Sequence, residues 1–73
     1  MKEKRAHAPY VTFKRTLAGM GLTYADVARV IGTTTSTVQL KINGQSDFYL
    51  SEMRAICKAF GIDSTIFFAD LVA

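Results

Sequence analysis

A chain of 73 residues has room for one hydrophobic core, and at 49% hydrophobic with five Phe it has the material to build it. One cysteine (Cys57) and one histidine (His7) exclude a disulfide framework and a zinc site, and no apolar run is long enough to span a membrane. The net charge of +3 is modest, and a domain this small has to be idealised or oligomeric to be stable.

Residues 1–8 are charged and aperiodic, which predicts a flexible basic arm with Lys2, Lys4, Arg5 and a solvated His7. Pro9 suits the first position of a helix. Tyr10, Phe13, Leu17 and Met20 then fall on one face at helical spacing, with Lys14 and Arg15 turned elsewhere. Gly19 and Gly21 stop this helix. Thr23 is an N-cap for a second helix, and Asp26, three residues on, completes an acidic variant of the capping box. Val27, Ala28 and Ile31 form its apolar face before the stop at Gly32.

The run Thr33-Thr34-Thr35-Ser36-Thr37 has strand propensity, yet Thr34 can cap a helix, and Val38 and Ile42 make a single inward stripe four residues apart. Asn43-Gly44 supplies a left-handed stop, and no alternating strands flank it as a hairpin would require. Residues 45–49 form a loop in which Phe48 can plug the core. A fourth helix is expected over about 50–60, with Met53, Ile56, an inert Cys57 and Phe60 on its buried face and Glu52 as a helix-start charge. Gly61 ends it and Ile62 staples the turn. Asp63 caps a fifth, short helix with Ile66 and one of Phe67 or Phe68 facing in; the tail 69–73 has no assigned place. The expected fold class is all-α, with five helices in one domain over residues 9–73.

A helix, a short glycine turn and a second helix with a small, polar outer face make a helix-turn-helix. A helix entering a major groove about 12 Å wide needs short or flexible hydrogen-bonding side chains, and Thr35, Ser36, Thr37, Gln39 and Lys41 are of that kind. The N-termini of both helices carry unsatisfied N–H groups suited to phosphates, at Thr23 and Tyr24 and at Thr34 and Thr35. Residues 1–46 hold seven Lys and Arg against Glu3 and Asp26, a net of +5. Residues 47–73 hold Arg54 and Lys58 against Asp47, Glu52, Asp63 and Asp70, a net of −2. A basic front and acidic back suit one surface presented to a polyanion, although a merely solvated arm accounts for the charge as well.

The ordered set Leu22-Thr23-x-x-x-Val27-Ala28-x-x-Ile31-Gly32-x-Thr34-x-x-Thr37-Val38-x-x-x-Ile42-Asn43-Gly44 resembles the Cro/phage-repressor (XRE-type) helix-turn-helix family. Ser46-Asp47-Phe48-x-Leu50-Ser51-Glu52 is similar to the small phage and prophage regulators of Gram-positive bacteria. The resemblance covers residues 10–68 and implies a five-helix, lambda-repressor-like DNA-binding domain, operator binding and control of transcription. It implies a recognition helix over 34–43, with Thr35, Ser36, Gln39 and Leu40 facing bases, Gln39 towards adenine and Leu40 towards a thymine methyl. Thr23, Tyr24, Thr34, Thr37, Lys41, Asn43 and Gln45 would contact the DNA backbone. Two positions depart from the family pattern: Tyr24 stands where Gln is frequent, and Leu40 where Arg or Gln is common. Many members also hold the first helix to the end of the recognition helix by a buried Arg–Glu pair. The matching positions here are Leu17 and Ile42, which should therefore be buried and in contact.

The partner expected is double-stranded operator DNA, bound by a cytoplasmic regulator closer to Cro than to a full repressor. A weak or DNA-dependent homodimer would use the loop after Gly44, the last helix and the tail, including Phe67 or Phe68 and Leu71. A protein-interaction module (an antitoxin or anti-repressor) using Leu40 and Tyr24 as an apolar contact is the alternative. The sequence holds no nucleophile–base pair, metal cluster or glycine-rich phosphate loop, so no enzyme activity, cofactor or small-molecule substrate is expected.

Overall fold

The computed structural model describes residues 7–69 and is helical throughout its regular elements. Helix α1 spans Val11–Gly19, α2 Tyr24–Ile31, α3 Thr35–Asn43 and α4 Leu50–Phe60. The expected fifth helix is a single 3-10 turn, Ser64–Phe67, so the count is four helices and a turn. The Asp63 carboxylate accepts from Thr65 N–H at 3.0 Å, two residues on, and the turn closes with Phe68 N–H on the Thr65 carbonyl.

Each junction has a local cause. Helix α1 closes with Gly21 at a φ of 73°, which lets Gly21 N–H reach the Ala18 carbonyl and Leu22 N–H reach that of Leu17. This is the Schellman pattern, and it turns Met20 outward, so Met20 is exposed rather than part of the buried face. At α2 the expected capping box is present: Thr23 N–H donates to Asp26 Oδ2 at 2.8 Å and Asp26 N–H donates to Thr23 Oγ1 at 3.3 Å. The threonine run is helical, with Thr34 Oγ1 accepting from Thr37 N–H at 3.2 Å.

Helix α1 begins two residues later than a proline at its first position would place it. Tyr10 N–H is drawn to the carbonyl of Ile42 at 2.9 Å, which holds Tyr10 in a non-helical conformation as the N-cap. The expectation of a solvated His7 is likewise overturned. The ring stacks on Tyr10 with 4.3 Å between centroids, Nε2 lies 2.7 Å from the Ser46 carbonyl, and the side chain is 6% exposed. The rest of the arm (residues 1–6) and residues 70–73, including Leu71, lie outside the described residues.

The core is built from one or two side chains per element: Tyr10, Phe13, Leu17, Val27, Ala28, Val38, Ile42, Phe48, Ile56 and Phe67. Leu17 and Ile42 are both 1% exposed, which meets the expectation that both are buried. Helix α2 packs on α3 and α4, and the 3-10 turn packs on α1 and α4. Phe67 meets Phe13 at 4.9 Å between ring centroids and Tyr10 and Phe48 at 5.6 Å each, so one side chain from the last turn closes an aromatic cluster. Among the described residues no helix is long and apolar enough to cross a membrane.

The two adjacent phenylalanines should therefore behave oppositely. Phe67→Ala should cost about 3–5 kcal/mol of stability, and Phe68→Ala, at a half-exposed side chain, about 0.5 kcal/mol or less. Urea unfolding midpoints at constant slope measure both, and equal losses would show that Phe67 is not the closing residue.

Candidate nucleic-acid interface

At about 100° per residue, Thr35, Ser36, Gln39, Leu40 and Asn43 fall within an arc of about 140° on α3, while Val38, Lys41 and Ile42 share the opposite side. Burial follows this division. Val38 and Ile42 are in the core, whereas Thr35, Ser36, Gln39 and Leu40 are exposed, Leu40 by 45%. The side chains of Thr35, Ser36 and Gln39 have no hydrogen-bond partner among the described residues. The four positions expected to face bases are thus brought together on one outward surface.

The residues expected to touch the DNA backbone divide into groups. Gln45 is exposed just beyond the end of α3, with its N–H donating to the Leu40 carbonyl at 3.0 Å. Thr23 and Thr34 are exposed, but their hydroxyls are engaged as caps: Thr23 Oγ1 donates to Asp26 and Thr34 Oγ1 to Thr37 Oγ1 at 3.0 Å. Thr37 and Asn43 are half-buried. Tyr24 is half-buried as well and packs against the core with part of its side chain.

The starts of α2 and α3 differ in charge. The backbone N–H of Thr23, and then its hydroxyl, hold the Asp26 carboxyl below the usual carboxylate range. A carboxylate therefore sits in the first turn of α2, whereas α3 has no acidic residue in its first turn. The positive end of the α3 dipole faces outward uncompensated, which favours an anion there over the start of α2.

Lys41 departs from its expected role. It is 7% exposed, and its Nζ donates to Glu52 Oε1 at 2.6 Å while lying over the rings of Tyr49 at 4.9 Å and Phe48 at 5.7 Å. The ammonium points into the α3–α4 junction rather than towards a phosphate. The signal was in the sequence, because Lys41 lies three residues after Val38 and beside Ile42, on the inward side. Glu52 does more than start a helix: Oε1 also accepts from Tyr49 N–H at 2.9 Å, so one oxygen caps α4 and pairs with α3. No local pattern marks that pairing, since the partners are 11 residues apart. The Cys57 thiol is pushed up by burial and then by Asp63, in line with an unreactive core residue.

A family model for the Cro/C1-type HTH DNA-binding domain matches residues 12–65. No curated protein and no solved structure matches the chain.

The ion pair at the root of α3 gives a test of how this surface is held. Glu52→Gln keeps an acceptor for Tyr49 N–H but leaves Lys41 buried and unpaired, at a cost of about 3–5 kcal/mol. Adding Lys41→Met should recover most of the loss, and a double-mutant cycle in urea measures the coupling. Additive effects would show that the two side chains do not act as a pair.

Proposed function

The chain belongs to the Cro/C1-type helix-turn-helix DNA-binding family, and on that premise we propose that it is a sequence-specific transcriptional regulator that lays α3 in the major groove of operator DNA. The observation that carries this reading is the outer face of α3. Thr35, Ser36 and Gln39 are exposed, unpartnered hydrogen-bonding groups, next to an apolar Leu40 that can meet a thymine methyl. Caps at both ends hold them on a short helix, and such rigid presentation is what direct readout requires. Gln45 and the start of α3, which carries no acidic residue in its first turn, are the backbone contacts we assign. Lys41 belongs to the support of the helix rather than to the contact surface.

The protein is non-enzymatic in this reading and works in the cytoplasm. Its likeness to phage and prophage regulators over 46–52 supports a phage-derived, Cro-like origin. A weak or DNA-dependent dimer would use Phe68, the aromatic of the last turn that stays at the surface. In the rival reading, a protein-binding face made by Leu40 and Tyr24, Leu40 is the more exposed of the two and Tyr24 is half-buried against the core.

Selection of bound sequences from a random duplex pool, followed by mobility shifts over a salt series, tests the proposal. Specific binding whose log affinity falls steeply with log salt is expected. Salt-insensitive or absent binding would count against it. On the selected site, Gln39→Ala should lose about 1–3 kcal/mol and relax preference at one base pair. Gln45→Ala should weaken all sequences alike. An equal loss on every sequence for Gln39→Ala would remove Gln39 from the base readers.

A further inference from the structure

Gln45 is exposed and its side chain has no hydrogen-bond partner among the described residues, yet the backbone on both sides of it is tied down. Its own N–H donates to the Leu40 carbonyl at 3.0 Å, and Ser46 N–H reaches the same oxygen at 3.3 Å. Those bonds come from α3. The carbonyls are held from the segment before α1: His7 N–H donates to the Gly44 carbonyl at 3.4 Å, and the ring nitrogen Nε2 lies 2.7 Å from the Ser46 carbonyl. His7 thus holds the residues on either side of Gln45, one through its main chain and one through its side chain. The second tie needs an N–H at Nε2, which the Nε2–H tautomer and the imidazolium both supply, so it does not depend on the charge of the ring.

The ring itself is fixed. Its side chain is 6% exposed and stacks on Tyr10 at 4.3 Å between centroids. Tyr10 is anchored in turn, by its N–H on the Ile42 carbonyl at 2.9 Å and by its hydroxyl on Asp47 Oδ1 at 2.6 Å. The need for such a tie is set by Gly44, which has a φ of 97°. Glycine has the greatest backbone freedom of any residue, and a contact residue placed just after one would have to be ordered at the moment of binding.

We propose that His7 is a positioning residue for the DNA-backbone contact assigned to Gln45: it ties residues 44–46 to segment 7–10, so that Gln45 meets the DNA already ordered. The inference rests on the DNA-binding reading and extends it to a residue too buried to touch DNA with its own side chain. Both tied carbonyls belong to the main chain, so His7 is the place where the arrangement can be broken by substitution.

Two measurements at one fixed pH test the proposal. In the free wild type, the Gln45 amide should have an NMR order parameter like that of α3, about 0.85, and it should fall in His7→Ala. A wild-type value below about 0.6 would overturn the proposal from that protein alone, and an equal value in His7→Ala would overturn it as well. On the duplex selected by the wild type, His7→Ala should weaken binding at least about threefold, and alike for every sequence. In a Gln45→Ala background the same change should cost less than about 1.5-fold, because the residue it positions is gone. Binding is scored per folded molecule, with the folded fraction taken from urea unfolding of each variant. An equal loss in both backgrounds would show that His7 only supports the fold, which overturns the proposal. His7→Gln, whose amide can donate to the Ser46 carbonyl, should restore at least about half of the loss, and no recovery would overturn the side-chain tie. A wild type that binds no duplex would sink the DNA-binding reading and the role of His7 with it, while the order parameters would still show whether His7 holds the loop.

Discussion

The last turn of α3 has to be satisfied at its carbonyl end without being buried at its outer face, and much of the chain is arranged around that constraint. A helix end leaves carbonyls with no partner inside the helix. Here Gly44 N–H and Gln45 N–H both turn back to the Leu40 carbonyl, and Tyr10 N–H reaches in from outside to the carbonyl of Ile42. The His7 backbone continues the same line of contact to Gly44. The segment 7–10 is thus a strap across the end of α3, and the non-helical backbone of Tyr10 that delays α1 is the conformation in which its N–H makes that contact.

Charge reinforces the same end. Lys41 brings a cation to the negative end of the α3 dipole and meets Glu52 near the start of α4, so each charge is also placed favourably for its own helix. Burying an ammonium costs several kcal/mol unless it is paired and hydrogen-bonded, which is why the 2.6 Å contact and the two flanking rings matter together. Leu17 and Ile42, the apolar residues at the positions where the family resemblance would place a charged pair, are both buried. The ion pair in this chain instead joins α3 to α4, from the residue next to Ile42.

What the sequence made legible was local. Thr23 with Asp26, Thr34 with Thr37, and the glycine at the end of each of α2, α3 and α4 act over one turn, and periodicity placed Val38 and Ile42 inward. The outer face of α3 followed as the complement of that stripe. What stayed hidden depends on distance along the chain. His7 meets Ser46 across 39 residues and Tyr10 meets Asp47 across 37, and no spacing rule brings such residues together. Lys41 is hidden for another reason: a lysine among threonines and glutamine fits the chemistry of a phosphate contact, while its helical phase puts it beside Val38 and Ile42 on the inward side. The short last turn was overextended because an N-cap at Asp63 announces a helix without fixing its length or pitch.

The aromatic cluster has a consequence for the order in which the protein can be made. Tyr10 and Phe13 emerge early during synthesis and meet Phe48 directly, at 5.9 and 6.1 Å between centroids, but the ring that contacts all three belongs to residue 67. Contacts between residues this far apart in sequence are slow to close, because the loop entropy must be lost before the packing is gained. The capped turns of α2 and α3 can form while the chain is still on the ribosome. Until Phe67 arrives, however, Tyr10 and Phe48 lack the ring that packs against both, and the strap that rides on Tyr10 lacks a finished floor. A nascent or truncated chain would carry the capped turns of α2 and α3 without the packing that holds the outer face of α3 still.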